Sequence, residues 1–272
     1  MKWRNTFSVV AGCAVVGLTS FNAQAQSAFA GFYGQLSTGY ESNQLGSQSD
    51  TARVTPYANS DTNNTGPSQT FGGAPLVLGI GYYWQATDKW LIGLGADYSA
   101  LTQTSSMIPK NVSNAPGSTA ITSGENQTFN GGSMQLSNRF NIFITPGYVI
   151  DKDKLVYVKA GYSQVSAQYN VATSLTKTTN GVSRTYPAVG GSQSSNQGGY
   201  LLGIGYKQII TKGLYGFVEG NYMGYSAPSY SYATNNSLDT SRGVTTSSTR
   251  TVAASFASLN SFQALIGLGY AF

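Results

Sequence analysis

The sequence predicts an all-β fold: a closed antiparallel transmembrane β-barrel of eight strands, with four long extracellular loops and short periplasmic turns. Three observations carry this. Segments of about ten residues alternate in polarity with a period of two, which is the signature of strands. The breaks between them alternate long and short, as in a barrel whose turns are short on one side of a membrane and long on the other. Charge is scarce: 15 Lys or Arg and 10 Asp or Glu make 9% of 272 residues, where a soluble globular chain carries roughly 25%.

The N-terminus reads as a secretory leader over residues 1–25, leaving a barrel domain over 26–272. Lys2 and Arg4 precede an apolar run from Phe7 to Phe21, and Ala23-Gln24-Ala25 supplies the small-x-small cleavage pattern. Gly12, Gly17, Thr19 and Ser20 interrupt the run, which is too short for a helix of about 20 apolar residues to span a membrane. The one cysteine, Cys13, sits within the run after Val10-Ala11-Gly12, a lipoprotein-like alternative, and a second cut after Ala30 would remove the start of the first strand. On the Ala25 cut no cysteine remains, so disulfides have no part in stability.

Eight strands follow, at roughly 30–41, 74–85, 90–101, 133–150, 155–167, 198–207, 214–225 and 256–272. The long connections are 42–73, 102–132, 168–197 and 226–255, and the short ones 86–89, 151–154 and 208–213. Even positions are the apolar phase throughout. In the last strand Phe262, Ala264, Ile266, Leu268, Tyr270 and Phe272 oppose Ser261, Gln263, Leu265, Gly267, Gly269 and Ala271. The second strand sets Leu76, Leu78, Ile80, Tyr82 and Trp84 against Val77, Gly79, Gly81, Tyr83 and Gln85. Pro146 is the awkward residue; it removes a ladder donor and suggests a bulge or a strand end.

Charge follows the same phase. Six charges fall in strands, Glu41, Asp97, Arg139, Lys159, Lys207 and Glu219, and all are odd. A lipid-facing Lys or Arg at the bilayer midplane costs about 2–4 kcal/mol, so the odd face is the lumen and the even face meets lipid. Backbone groups must all be paired inside a bilayer, so the sheet must close. Trp84 and Trp90, either side of the first short turn, belong to an interfacial aromatic girdle.

An eight-stranded barrel is just wide enough for its own side chains to fill. Tyr33, Tyr83, Phe143, Tyr157, Tyr215 and Phe217 point inward and occupy much of that space. Tilted strands climb roughly 2.5 Å per residue, which puts Lys159 and Glu219 at similar heights, about 10–12 Å. They are expected to form a buried ion pair or to join a wider network with Asp97, either as an electrostatic staple or as a gate. Arg139 and Glu41 fall near the outer end, where pairing and solvation both remain open.

Several functions are excluded or disfavoured. No window clusters Lys and Arg as a nucleic-acid binder requires. Histidine is absent, which removes imidazole as base or ligand. No phosphate loop, Cys/His cluster or calcium-loop spacing appears, so no cofactor or metal is expected. The loops, rich in Ser, Thr, Asn and Gly, read as flexible polar cover, with Arg53, Lys110, Lys177, Arg184, Arg242 and Arg250 against Asp50, Asp61, Glu125 and Asp239.

The segments LVYVKAGYS (155–163), GYLLGIGY (199–206), GFVEGNYMGY (216–225) and ALIGLGYAF (264–272) resemble the OmpA-like, porin-family eight-stranded outer-membrane barrels of the surface-antigen superfamily. The resemblance covers the strands and not the loops. It implies a Gram-negative outer-membrane location, contact with outer-membrane lipid and lipopolysaccharide, and delivery by periplasmic chaperones to the barrel-assembly machinery. Leu268, Tyr270 and Phe272 look like the C-terminal signal which that machinery reads. Full-length OmpA-type relatives add a soluble peptidoglycan-binding domain; this sequence stops at Phe272, so cell-wall tethering is not expected. The resemblance implies a non-enzymatic structural, surface-exposed or adhesive role, with a narrow porin for ions or small solutes as the alternative. Enzymes among the relatives use a His with Ser or Asp, which this sequence lacks. Any surface ligand is left open.

Overall fold

The computed structural model describes residues 27–55, 60–188, 190–239 and 246–272. The expected leader with Cys13, and the loop residue Arg242, lie outside the described residues. Strands run in the order β1 (Gly31–Leu45), β2 (Gln48–Thr55), β3 (Thr62–Gly66), β4 (Gln69–Gly73), β5 (Leu76–Gln85) and β6 (Trp90–Ser99). Then come β7 (Gln103–Thr104), β8 (Ile108–Asn114), β9 (Glu125–Asp151), β10 (Lys154–Asn170), β11 (Ser174–Thr179) and β12 (Val182–Pro187). The last are β13 (Ser192–Thr211), β14 (Leu214–Tyr225), β15 (Ser229–Asp239), β16 (Thr246–Phe256) and β17 (Leu259–Ala271).

Eight of these close a ring of antiparallel neighbours: β1, β5, β6, β9, β10, β13, β14, β17 and back to β1. The closing seam pairs Tyr33 with Ala271 and runs to Leu45 with Leu259, so the lower tier has no free edge. Its hairpins are tight at one end. Lys212 and Gly213 alone join β13 to β14, with φ of 30° and 84°, a left-handed pair that suits a two-residue hairpin turn. The turn expected over 208–213 is therefore shorter, and Lys207 lies well inside a strand.

The outside of this tier is apolar because even residues face out. Ile80, Ile204 and Ile266 are 68%, 66% and 62% exposed, while odd residues of the same strands, Tyr83, Leu201 and Leu265, are buried. Aromatic rings bound the belt. Trp90 packs on Tyr148 and Tyr82 on Trp84 near the turns, and Tyr98, Phe140, Tyr162, Tyr200, Tyr222 and Phe262 lie toward the other end. From Trp90 to Tyr98 is eight residues, roughly 20 Å of climb, close to the roughly 25 Å apolar band of a transmembrane barrel. Trp84 and Trp90 both stand in the girdle near the turns, half exposed. This tier crosses the membrane.

The long connections are not structureless cover. They continue the staves into a second tier ordered β12, β11, β9, β8, β3, β2, β16, β15. Its interior packs Ile108, Met134, Leu136, Tyr169, Tyr230, Ala254 and Phe256 together, in a core that continues down to Phe143, Leu201 and Met223 of the lower tier. Inward phase changes between tiers. In β9 the odd residues Arg139, Asn141 and Phe143 are buried, but so are the even Met134 and Leu136, which the alternation had assigned to lipid. Asn138, at φ 52°, sits at the switch, opposite a register shift between Gln164 and Ser166 of β10. A bulge there inserts one residue, which exchanges the faces. Phe256 is likewise inward and ends β16; the last barrel strand begins at Leu259, not at 256. Pro146 makes neither a bulge nor a strand end. It stays inside β9 opposite Ile92 of β6, and the β10 ladder skips from Gly147 with Tyr157 to Ile144 with Ala160 in unchanged register.

Candidate functional site

The lumen holds a column of buried charge that begins nearest the turns with Lys207. Among the described residues no carboxylate lies within ion-pair distance of its ammonium. It sits instead 4.1 Å from the ring centre of Tyr33, 4.8 Å from Tyr215, 5.1 Å from Tyr83, 5.3 Å from Tyr157 and 6.0 Å from Phe217. It donates to Gln35 Oε1 at 3.2 Å. Ring faces are electron-rich, so a desolvated cation gains up to about 2 kcal/mol or more from such contacts. This cage went unread in the sequence. The signal was present, since Lys207 shares the odd phase with all five rings.

Above it, Lys159 bridges Asp97 Oδ2 at 2.8 Å and Glu219 Oε1 at 2.9 Å. Tyr157 donates to Glu219 Oε2 at 2.6 Å, Asn221 to Glu219 Oε1 at 2.7 Å, and Asn141 to Asp97 Oδ1 at 2.5 Å. The Phe143 ring lies 3.9 Å from the Lys159 ammonium. The structure thus brings Asp97, Lys159 and Glu219 into one group. The next level joins Arg139 to Glu41. Arg139 also donates to the Tyr225 hydroxyl at 2.9 Å, Asn43 at 3.1 Å and Ser261 at 3.0 Å, while Gln263 donates to Glu41 at 2.8 Å. Both are buried, so the open question of solvation is answered by pairing. The gap beside this pair, lined by Ser99, Leu101, Leu136 and Val165, is too narrow for a water molecule.

A fourth level lies in the upper tier. Lys110 reaches Asp50 Oδ2 at 2.5 Å and the Tyr169 hydroxyl at 2.7 Å, and Gln48 donates to Asp50 Oδ1 at 2.8 Å. Burial pushes the Tyr169 hydroxyl above its ordinary range, so it stays neutral and accepts from Lys110. The sequence alone places Asp50 and Lys110 among the loop charges; the structure buries both.

Taken together, the buried charges among the described residues are Lys207, Lys159, Arg139 and Lys110 against Asp97, Glu219, Glu41 and Asp50. By formal charge the column is neutral. The Lys159 group carries one excess negative charge, and Lys207 below it supplies the balancing positive one. Buried charge is tolerable only with such compensation. Every carboxylate here is engaged by a cation and by amide or hydroxyl donors, so none stands ready as a base. No group of His, Cys, Asp and Glu suited to a metal occurs among the described residues.

At the end of the chain, Leu268, Tyr270 and Phe272 share the outward face at 56%, 45% and 80% exposure, and Tyr270 packs edge-on to Phe272.

No protein-family model matches the chain, and no curated protein matches it. Among solved structures it is similar to the outer membrane protease OmpT of Escherichia coli, at 10% identity over 92% of this chain and 99% of that one, with a TM-score of 0.43. It is also similar to the outer membrane protein OprG of Pseudomonas aeruginosa, at 13% identity over 89% and 96%, with a TM-score of 0.42. A third likeness is to Ail, the attachment invasion locus protein of Yersinia pestis, solved with a heparin analogue, at 12% identity over 86% and 99% and a TM-score of 0.33. The closed ring of this chain rests on its own strand pairing.

Proposed function

We propose that the protein is an integral outer-membrane barrel of a Gram-negative bacterium with a structural and surface-exposed role, non-enzymatic and closed to solutes. The observation that carries this is the filled lumen: three successive levels of buried charge and rings occupy the part that crosses the membrane. The apolar belt with its two aromatic girdles supports contact with outer-membrane lipid, and lipopolysaccharide meets the outer girdle in this reading. The outward row Leu268, Tyr270 and Phe272 supports recognition by the barrel-assembly machinery, after periplasmic chaperones have carried the chain. The finer assignment to OmpA-like, porin-family barrels belongs to the same reading, supported by the alternating strand motifs and that terminal row. The strand-built second tier supports display at the cell surface, in which the tier presents a β-framework to other molecules. No cofactor is invoked, because the acidic side chains of the lumen are held by Lys159 and Arg139.

Planar-bilayer recording on the purified protein tests it. Silence over many insertions is expected. Reproducible unitary steps in the unmodified protein would overturn the closed-barrel reading and favour a narrow porin.

A further inference from the structure

Each of the eight staves of the lower ring continues into the second tier, and seven of the eight seams continue with them. The eighth does not. Below, β13 and β14 pair from Thr211 with Leu214 up to Gly199 with Tyr225. The last link is the Ser226 N–H to the Gly198 carbonyl at 3.0 Å. Above that point, residues 192–198 of β13 keep β10 on one side, β12 keeps β11, and β15 keeps β16. Among the described residues none of these pairs through its backbone with a strand on its other side, although the Tyr230 side chain of β15 bonds Ser195 of β13 across the gap. The second tier is therefore a split cylinder with two lips, β12 with the top of β13 on one side and β15 on the other.

Edges of this kind are normally blunted by charge, proline or cover, because their free N–H and C=O groups template further pairing. Here the first lip, VSRTYP and SQSSNQG, carries Arg184 alone and a proline only at the end of β12. β12 is exposed on both faces, and Val182 and Tyr186 on it are 61% and 43% exposed, above the membrane belt.

Direction decides what fits. β12 and β13 run toward the turn end, and β15 runs away from it, because β13 precedes and β15 follows the Lys212-Gly213 hairpin. A single strand placed between the lips would lie parallel to one of them. A second copy, inserted the same way up and rotated by half a turn about the membrane normal, has no such conflict. Its β15 meets this chain's first lip antiparallel, and its first lip meets this chain's β15 antiparallel, so one self-complementary contact satisfies all four edges. We propose that two copies of this protein pair through their lips, joining two split tiers into one continuous sheet at the cell surface. The hydroxyl-rich sequences of the lips suit this, since Thr and Ser side chains directly opposite one another form favourable cross-strand pairs. The inference stands apart from the closed-lumen reading; a conducting barrel would have the same lips.

The test uses the full chain with Cys13→Ser, expressed in the outer membrane of a Gram-negative host, so that engineered thiols are the only ones. Ser194→Cys is co-expressed with a differently tagged chain bearing Ser229→Cys, Ser231→Cys or Ala233→Cys. Directly opposed strand residues lie within the roughly 7 Å between Cα atoms that a disulfide can bridge. Mild oxidation is expected to give a disulfide-linked dimer of mixed tags at one of the three positions, and none from either variant expressed alone. The thiol-free protein in detergent is expected to show twice the mass of one chain. A monomeric mass, no mixed dimer at any position, or a disulfide that closes within one chain bearing both Ser194→Cys and Ser231→Cys would overturn the proposal.

Discussion

Replacing Lys159 by Met removes the cation from the Asp97 and Glu219 group while nearly preserving its volume. Two charge-assisted hydrogen bonds are lost, at 2.8 and 2.9 Å, from side chains that are 0% to 3% exposed. Each such bond contributes about 1.5–3 kcal/mol, and removing one partner of a buried pair costs about 3–5 kcal/mol. A loss of about 3–5 kcal/mol is expected, measured by urea unfolding of the protein in lipid vesicles through the fluorescence of Trp84 and Trp90. The column's neutrality adds a sharper requirement. Lys159→Met combined with Asp97→Asn removes one charge of each sign, leaving Glu219 bonded to Tyr157 and Asn221 and balanced by Lys207. This double variant should recover more than half of the loss, a non-additivity expected only of groups in one network. Two outcomes refute the reasoning: a single-variant loss under about 1 kcal/mol, as at an exposed pair, or a double variant less stable than the single.

Lys110→Met leaves Asp50 buried without its cation, so the second tier should become sensitive to externally added protease while the lower ring remains resistant; unchanged cleavage would count against the Lys110–Asp50 pair holding that tier together. Gly205→Ala would place a methyl 2.2 Å from the Tyr157 ring and should cost about 1–3 kcal/mol by overpacking, whereas Gly34→Ala, with nothing within 4 Å, should change unfolding by under about 0.5 kcal/mol. Ile204→Arg, on the outward face at mid-belt, should cost about 2–4 kcal/mol in vesicles if that face meets lipid.

The membrane-crossing tier was legible because its two faces meet different media. Lipid excludes charge from even positions, so phase, strand number and the inward rings could all be read, and a common climb per residue placed Lys159 beside Glu219. The second tier has water outside and a partly polar core inside, so both faces of a strand such as QSDTARVT are polar and the period fades. Asp50 therefore looked like an ordinary loop charge, although its alternate neighbours Gln48 and Ala52 are buried with it. Asn138 defeated the reading of Met134 and Leu136 for another reason. Its left-handed backbone is a conformation that Asn tolerates better than most residues, and nothing in Ser-Asn-Arg declares whether it is used.

The long strand β9, Glu125–Asp151, has a mechanical consequence. It runs from the turns into the second tier as one piece of 27 residues, climbing about 65 Å at 2.5 Å per residue. A load applied along the barrel axis at its outer end is shared by hydrogen bonds on both flanks, all strained in shear at once. The β15 and β16 hairpin stands at the split seam, and a sideways pull on β15 breaks its bonds to β16 one after another. The same molecule is thus stiff on the β9 side and peelable on the other, so a tether at the cell surface would hold or yield according to which side it grips.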